Sequence, residues 1–466
     1  MSPLSAAQRG LWYIQAAEPS SSTYNVPVTL RWNGPIDLDA LRTALTTLVT
    51  RHEALRTRFP LVGGEPVQQI AEPAPLPVTV VDASPLTDAD VLEQAATQAA
   101  RPFALGRDAP LRCVVWRGLP EDVGDLVLLC FHHIVVDAWS LRVIFDDLAT
   151  GYAAALTGSA VELPDPGMSF ADYAVWESAR EESALLARRV HQLADVEPTL
   201  SLGAFEPQLS DPVESGHVTR FDFPSGFGER FQTRAAELRV TPLVLLLAAF
   251  EEVVRRWSAR SSFLLGTSMI YRPLPELERT VGYFLNTVPI RCDVRPERTF
   301  AEQCLAARAE FADAMRAQAI PFDCLVQETG VHRDERPLVQ VGIGLLPARS
   351  DESAAHWRLV DLIPATGAAA FDLTLLIELD AERPNALVEY DARRVPAFVA
   401  DGVCADYVAM LQAALDAPDT VLARLPLAPG RLPGGRQGIL FGPEEDLPTW
   451  HLDRRTTTSA TLREIS

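Results

Sequence analysis

The chain has 466 residues, 48% of them hydrophobic, with 62 acidic and 41 basic side chains and a formal net charge of −21. That length and apolar content call for two or three domains or lobes around a sizeable core, and the acidic balance argues against nucleic acid or an anionic membrane surface as a partner. No lysine occurs, so every basic residue is arginine, which excludes a lysine Schiff base and a P-loop lysine.

In chain order, Leu38, Leu41, Leu45, Leu48 and Val49 fall on one helical face, and Asp37 is placed to cap that helix. Residues 125–131 form a short apolar run of the kind a buried strand shows, and residues 141–152 return to helical spacing through Leu141, Ile144, Phe145, Leu148 and Tyr152. The stretch His132-His133-Ile134-Val135-Val136-Asp137 therefore sits in a strand-to-helix turn, an exposed position on a rigid scaffold. Residues 179–215 read as a helix running into a crossing linker. A helix is predicted from about Pro242 to Trp257, followed by strands at 263–267, Leu338 to Leu346 and Phe371 to Leu379. Residues 431–466, rich in Gly, Pro, Thr and Arg, read as a linker or tail. The result is an α/β chain in two lobes of similar size.

The six cysteines, Cys113, Cys130, Cys292, Cys304, Cys324 and Cys404, are scattered without a C-x-x-C pair, which predicts free thiols and no zinc cluster. The N-terminus lacks signal-peptide features, and the longest apolar run, Pro242 to Phe250, falls far short of a membrane span. A cytoplasmic, monomeric domain without metal or intrinsic cofactor is expected.

Adjacent histidines at a strand end point to opposite sides if strand geometry persists, so only one faces a given pocket. His133, one residue further into the turn, is the expected one; a neutral imidazole there can take or hold a proton from an attacking amine or alcohol. Asp137 is suited to orient an imidazole, to cap the following helix, or to pair with a buried arginine. In isolation the His-His pair is more often packing than chemistry, and an aspartate before a helix is most often a cap. No serine nucleophile elbow or cysteine dyad accompanies them.

Five further stretches accompany this one in order. They are residues 4–12 (Leu-Ser-Ala-Ala-Gln-Arg-Gly-Leu-Trp), 51–59 (Arg-His-Glu-Ala-Leu-Arg-Thr-Arg-Phe), 170–176 (Phe-Ala-Asp-Tyr-Ala-Val-Trp), 281–287 (Val-Gly-Tyr-Phe-Leu-Asn-Thr) and 317–323 (Ala-Gln-Ala-Ile-Pro-Phe-Asp). Together with His132–Ser140 the series resembles the condensation domains of nonribosomal peptide synthetases over about residues 4–430. The resemblance implies two chloramphenicol-acetyltransferase-like lobes in a V-shaped pseudo-dimer with a central tunnel. The N-terminal lobe is then expected at 1–178, a crossing helix and linker at 179–215, and the C-terminal lobe at 216–430. It implies amide formation between a donor thioester and an acceptor amine, both carried on phosphopantetheine arms of donor and acceptor peptidyl carrier proteins.

Residue by residue, His133 matches the histidine usually assigned to catalysis, with His132 and Asp137 completing the motif. Asp137 matches an aspartate held by a buried arginine, for which Arg56 and Arg291 are the candidates. Ala138, Trp139, Ser140 and Asn286 match positions along the substrate channel; Asn286 is suited to donate to an oxyanion or, preferably, to pin its strand. Trp12 and Trp176 are expected in the core. His52 and Glu53 are expected to support the fold, with Arg51 or Arg56 reaching the active-site loop. Ala138 stands where the family usually has glycine, Gly10 where it usually has arginine, and residues 333–338 replace a longer seventh motif. The order Asp137-Ala138-Trp139-Ser140 and the intact His pair fit condensation rather than epimerization, cyclization or recruitment-only relatives. Two other readings stay open: an ester-forming or acyl-transferring relative with an alcohol or free amine acceptor, and a non-catalytic docking module.

Overall fold

The computed structural model describes residues 1–428 except 121, 181, 198, 204–215, 225, 331–336, 347–355, 361–370 and 380–383. The crossing linker from 204 on, most of the shortened seventh motif and the tail at 431–466 lie outside the described residues. The chain forms two compact mixed α/β units.

The first unit comprises Met1–Glu182, Ile270–Asn286 and Ser350–Thr366. Its main sheet runs, strand by strand, Trp357–Val360, Asn25–Trp32, Leu126–His132, Leu111–Arg117 and Val78–Asp82. Neighbours are antiparallel except Val78–Asp82, which lies parallel to Leu111–Arg117. Every residue of the central strand Leu126–His132 is buried, which explains its unbroken apolar run in place of alternation. The helix Leu38–Arg51 starts where Asp37 accepts the N–H groups of Asp39 and Ala40. It packs on the helix Ala138–Thr157, where Gly151 lets the two approach; a Cβ at Gly151 would lie 3.4 Å from that of Ala44. The second of these helices begins three residues before the periodic stretch at 141, because Asp137 supplies its cap, and it ends at Gly158 in the left-handed conformation.

In the second unit the strand order is Leu285–Asp293, Ser262–Ile270, Val341–Leu346, Leu373–Glu378, Asn385–Asp391 and Gly216–Asp222. The inner strands pair parallel and the last three antiparallel. The helices Pro242–Ser258, Phe300–Arg316 and Ala397–Asp416 build its core. Ala397–Asp416 is long and apolar enough to cross a membrane, but Val399, Val403, Tyr407 and Met410 are buried in that core.

The unit limits depart from chain order. The helix Ser183–Leu193, expected as a crossing element, belongs to the second unit, while two later segments return to the first. One adds an edge strand through Trp357–Val360 pairing with Asn25–Trp32; the other brings residues 270–286 to the histidine loop. Local periodicity carries no record of such long-range pairing.

Candidate active site

The sheet ends and the site begins at the His132–His133 bond. His132 closes the strand Leu126–His132, and His133 opens a single 3₁₀ turn, His133–Val135. Backbone bonds pin both: His132 donates its N–H to Pro110 O at 2.9 Å, and His133 donates to Tyr24 O at 2.7 Å. The two rings then part. His132 is fully buried, edge-on to Phe103, whereas His133 is partly exposed and lies edge-to-face with Tyr283 at 5.0 Å.

The hydrogen bonds fix both tautomers. Nδ1 of His133 lies 2.6 Å from Val136 O; a carbonyl only accepts, so Nδ1 carries the proton and Nε2 keeps its lone pair. Nδ1 of His132 accepts the Ile134 N–H at 3.1 Å, so that ring's proton sits on Nε2, 3.4 Å from Gln15 Oε1. Burial lowers the pKa of His133 below the ordinary imidazole value, with the Val136 carbonyl and Asp137 pulling the other way. Burial also drives His132 down to about 3, helped by His133 and Arg112. Both rings are therefore neutral near pH 7.

Asp137 does two of the three things its position allows. It caps the helix Ala138–Thr157 by accepting the Ser140 N–H at 2.7 Å, and it forms an ion pair with an arginine; it does not hydrogen-bond an imidazole. The arginine is Arg272, not Arg56 or Arg291. Arg272 Nη2 lies 3.2 Å from Asp137 Oδ1, and the Phe284 N–H reaches Oδ2 at 3.1 Å. Arg56 instead donates to Val49 O and Ala71 O and approaches Glu53, while Arg291 donates to Gln192 O at 3.0 Å. Arg272 is held in turn by the Leu277 and Thr280 carbonyls, and its guanidinium stacks 4.0 Å over the Phe284 ring.

Ser140 is part of this lock rather than a channel surface. It is fully buried; its hydroxyl donates to Gly282 O at 2.8 Å and accepts from Gly282 N and Arg272 Nη2. Gly282 has to be glycine, since a Cβ there would meet Phe170 Cδ2 at 1.9 Å. Of the other channel candidates, Ala138 is exposed and Asn286 is half-buried at the start of Leu285–Asp293. Trp139 donates its indole N–H to Glu278 O at 2.7 Å, with the Arg142 guanidinium 4.4 Å over its ring.

Neither Arg51 nor Arg56 reaches the loop. Arg51, His52 and Arg279 converge instead on the buried Asp147, within the helix that follows it, at 2.8, 2.8 and 2.6 Å. Gln8 does reach the loop: its Nε2 donates to Ile134 O at 3.0 Å. Gln8 and Arg272 were legible only weakly: Gln8 falls on one helical face with Leu11, and Arg272 is one arginine among 41 basic residues. Trp12 and Trp176, expected in the core, are instead half-buried and pack against the edges of apolar clusters of the first unit. Among the described residues, no group of three or more His, Cys, Asp or Glu is placed to hold a metal ion.

Comparison with known proteins follows the same outline. The family profile described as "Condensation domain" matches residues 1–431. The chain is 33% identical over 388 residues to phosphinothricin tripeptide synthetase PhsC of Streptomyces viridochromogenes, covering 80% of this chain and 36% of the relative. To the dimodular nonribosomal peptide synthase of Bacillus subtilis it is 29% identical over 445 residues, 91% of this chain and 18% of the relative. It thus spans about a third or less of the curated relatives it matches. Among solved structures, the X-domain from teicoplanin biosynthesis superposes with a TM-score of 0.80 at 24% identity, covering 91% of this chain and 97% of that one. The first condensation domain of the calcium-dependent antibiotic synthetase, with substrate analogue 3a, gives 0.78 at 19% identity, covering 91% and 98%. These two likenesses establish the fold, a mixed α/β architecture shared with those domains.

Proposed function

The chain belongs to the condensation-domain family of nonribosomal peptide synthetases, and from that premise we propose that it joins a donor acyl or peptidyl thioester to an acceptor aminoacyl group. Both substrates are presented on phosphopantetheine arms of donor and acceptor carrier proteins, in the cytoplasm. The acceptor nitrogen attacks the thioester carbonyl, the C–N bond forms, the C–S bond breaks, and the donor thiol leaves as the amine gives up a proton.

One observation carries the reading: a neutral His133 whose Nδ1 is tied to Val136 O, leaving Nε2 as the free basic atom of a partly exposed ring. Nε2 orients the attacking amine and takes up its proton. A thioester is already activated, so positioning supplies much of the rate. His132 and Asp137 shape the loop, and Asn286 pins its strand. Ala138 borders the path of a substrate arm and narrows it by one methyl.

The docking-module alternative draws on a complex of the teicoplanin X-domain with OxyB, whose X-domain is 25% identical to this chain. The intact His133 and the cage around Asp137 favour chemistry over docking alone. The test is an intact-mass assay with a panel of acyl- or peptidyl-loaded donor carriers and aminoacyl-loaded acceptor carriers. The expected result is transfer of donor mass to the acceptor arm by an amide stable to mild alkali. An alkali-labile product with a hydroxyacyl acceptor alone would establish the ester reading, and carrier binding without transfer the docking reading.

A further inference from the structure

The first helix, Ala6–Ala17, has three buried residues: Gln8, Leu11 and Gln15. Glutamine is seldom buried without a specific partner, and here both have one on the same loop. Gln8 Nε2 donates to Ile134 O at 3.0 Å, while its Oε1 accepts the Ser5 N–H in the capping box. Gln15, seven residues on, turns its Oε1 to His132 Nε2 at 3.4 Å. Its amide orientation is set from the other side, because Nε2 donates to Pro19 O and Ser21 O and both partners can only accept. Seven residues are two helical turns, so one face of one helix grips the loop on either side of His133.

The grip has a chemical consequence. His132 accepts the Ile134 N–H through Nδ1, which is possible only while Nδ1 is unprotonated. A proton on Nδ1 would set a donor against a donor and release Ile134, which precedes the carbonyl-bearing turn that holds His133. We propose that Gln15 is a positioning residue for the reaction: by accepting from Nε2 it holds His132 in the Nε2–H form, and with Gln8 it fixes the loop that aims His133. This rests on the function proposed above. The groups around His132 leave Gln15 this task. They are the Phe103 and Tyr24 rings, neighbouring His133, and Arg112, whose charge opposes a second cation.

The test combines imidazole ¹⁵N shifts with steady-state condensation on the full chain. In the parent, His132 is expected as the Nε2–H tautomer, unchanged between about pH 5 and 8. Gln15→Leu, with an unchanged melting transition, is expected to lower kcat about tenfold with KM for the loaded acceptor carrier unchanged. Gln15→Glu places a carboxylate beside Nε2. His132 should then titrate within that window, and a new acid loss of rate should follow its titration. A parent His132 protonated at Nδ1 would overturn the proposal whatever the activity, as would a Gln15→Glu variant whose rate ignores the His132 titration. If Gln15→Leu does not fold, the parent tautomer and the Gln15→Glu profile decide. A parent with the expected tautomer but no condensation with any carrier pair would contradict the proposed function and leave the tautomer assignment standing.

Discussion

Two buried acids, one in each unit, are treated in opposite ways. Asp137, beside the histidine loop of the first unit, is 1% exposed and meets donors from three directions: Ser140 N–H, Phe284 N–H and the Arg272 guanidinium. Glu251, in the helix Pro242–Ser258 of the second unit, is also 1% exposed but takes one well-formed bond, from Gln303 Nε2 at 2.7 Å. The nearby Cys292 thiol is a weak donor, and Glu251 Oε1 has no partner by distance and angle. Burial pushes the Glu251 carboxyl up to about 7. Converging donors offset the cost of burying a carboxylate; with one donor, burial makes it hold its proton more tightly than in water. At Asp137 the converging donors hold the histidine loop in one geometry.

The largest expected effect comes from breaking the cage. Arg272→Met leaves Asp137 as a buried anion without its cation and should cost about 3–5 kcal/mol in urea denaturation at pH 7. Adding Asp137→Asn should recover a good part of that loss, since the uncompensated charge is gone; additive losses would mean that the pair is not the source of the stability.

The contrast sharpens on Glu251. Its folded-state pKa, about 7, lies above the ordinary 4.5. The folded chain therefore holds the proton more tightly than the unfolded one. Glu251's contribution to stability is complete below 4.5 and is lost as pH rises to 7, by on the order of 3 kcal/mol. Glu251→Gln should flatten this part of the stability–pH curve and leave the variant more stable than the parent at pH 8. Parallel curves for the two would show that Glu251 is ionised in the folded chain.

Much of this was readable from the residues alone. The strand Leu126–His132 and the helices around it follow from apolar spacing, because each buries a continuous face, and Asp37 and Asp137 announce their helices as caps. The partner of Asp137 was not readable. Arg56 and Arg291 lie in or beside recognisable motifs, whereas Arg272 stands 135 positions from Asp137 in a segment whose only local signal is its neighbours. Ser140 was misplaced for a related reason: facing the loop in sequence, it faces Gly282 in space. Gln15 carried a faint signal, polar at helical spacing with Leu11, which an exposed residue shows equally well.

The central claim is that the Nε2 of a neutral His133 serves amide formation. Single-turnover condensation between loaded carrier proteins, followed by intact mass across pH for the parent and His133→Ala, tests it most directly. The parent should lose rate on acidification with a midpoint below the 6.5 of an ordinary imidazole, because burial favours the neutral ring. The variant should be folded, at least about 100-fold slower and without that acid limb. A His133→Ala chain that condenses at the parent's rate, or keeps the same acid limb, would contradict the account.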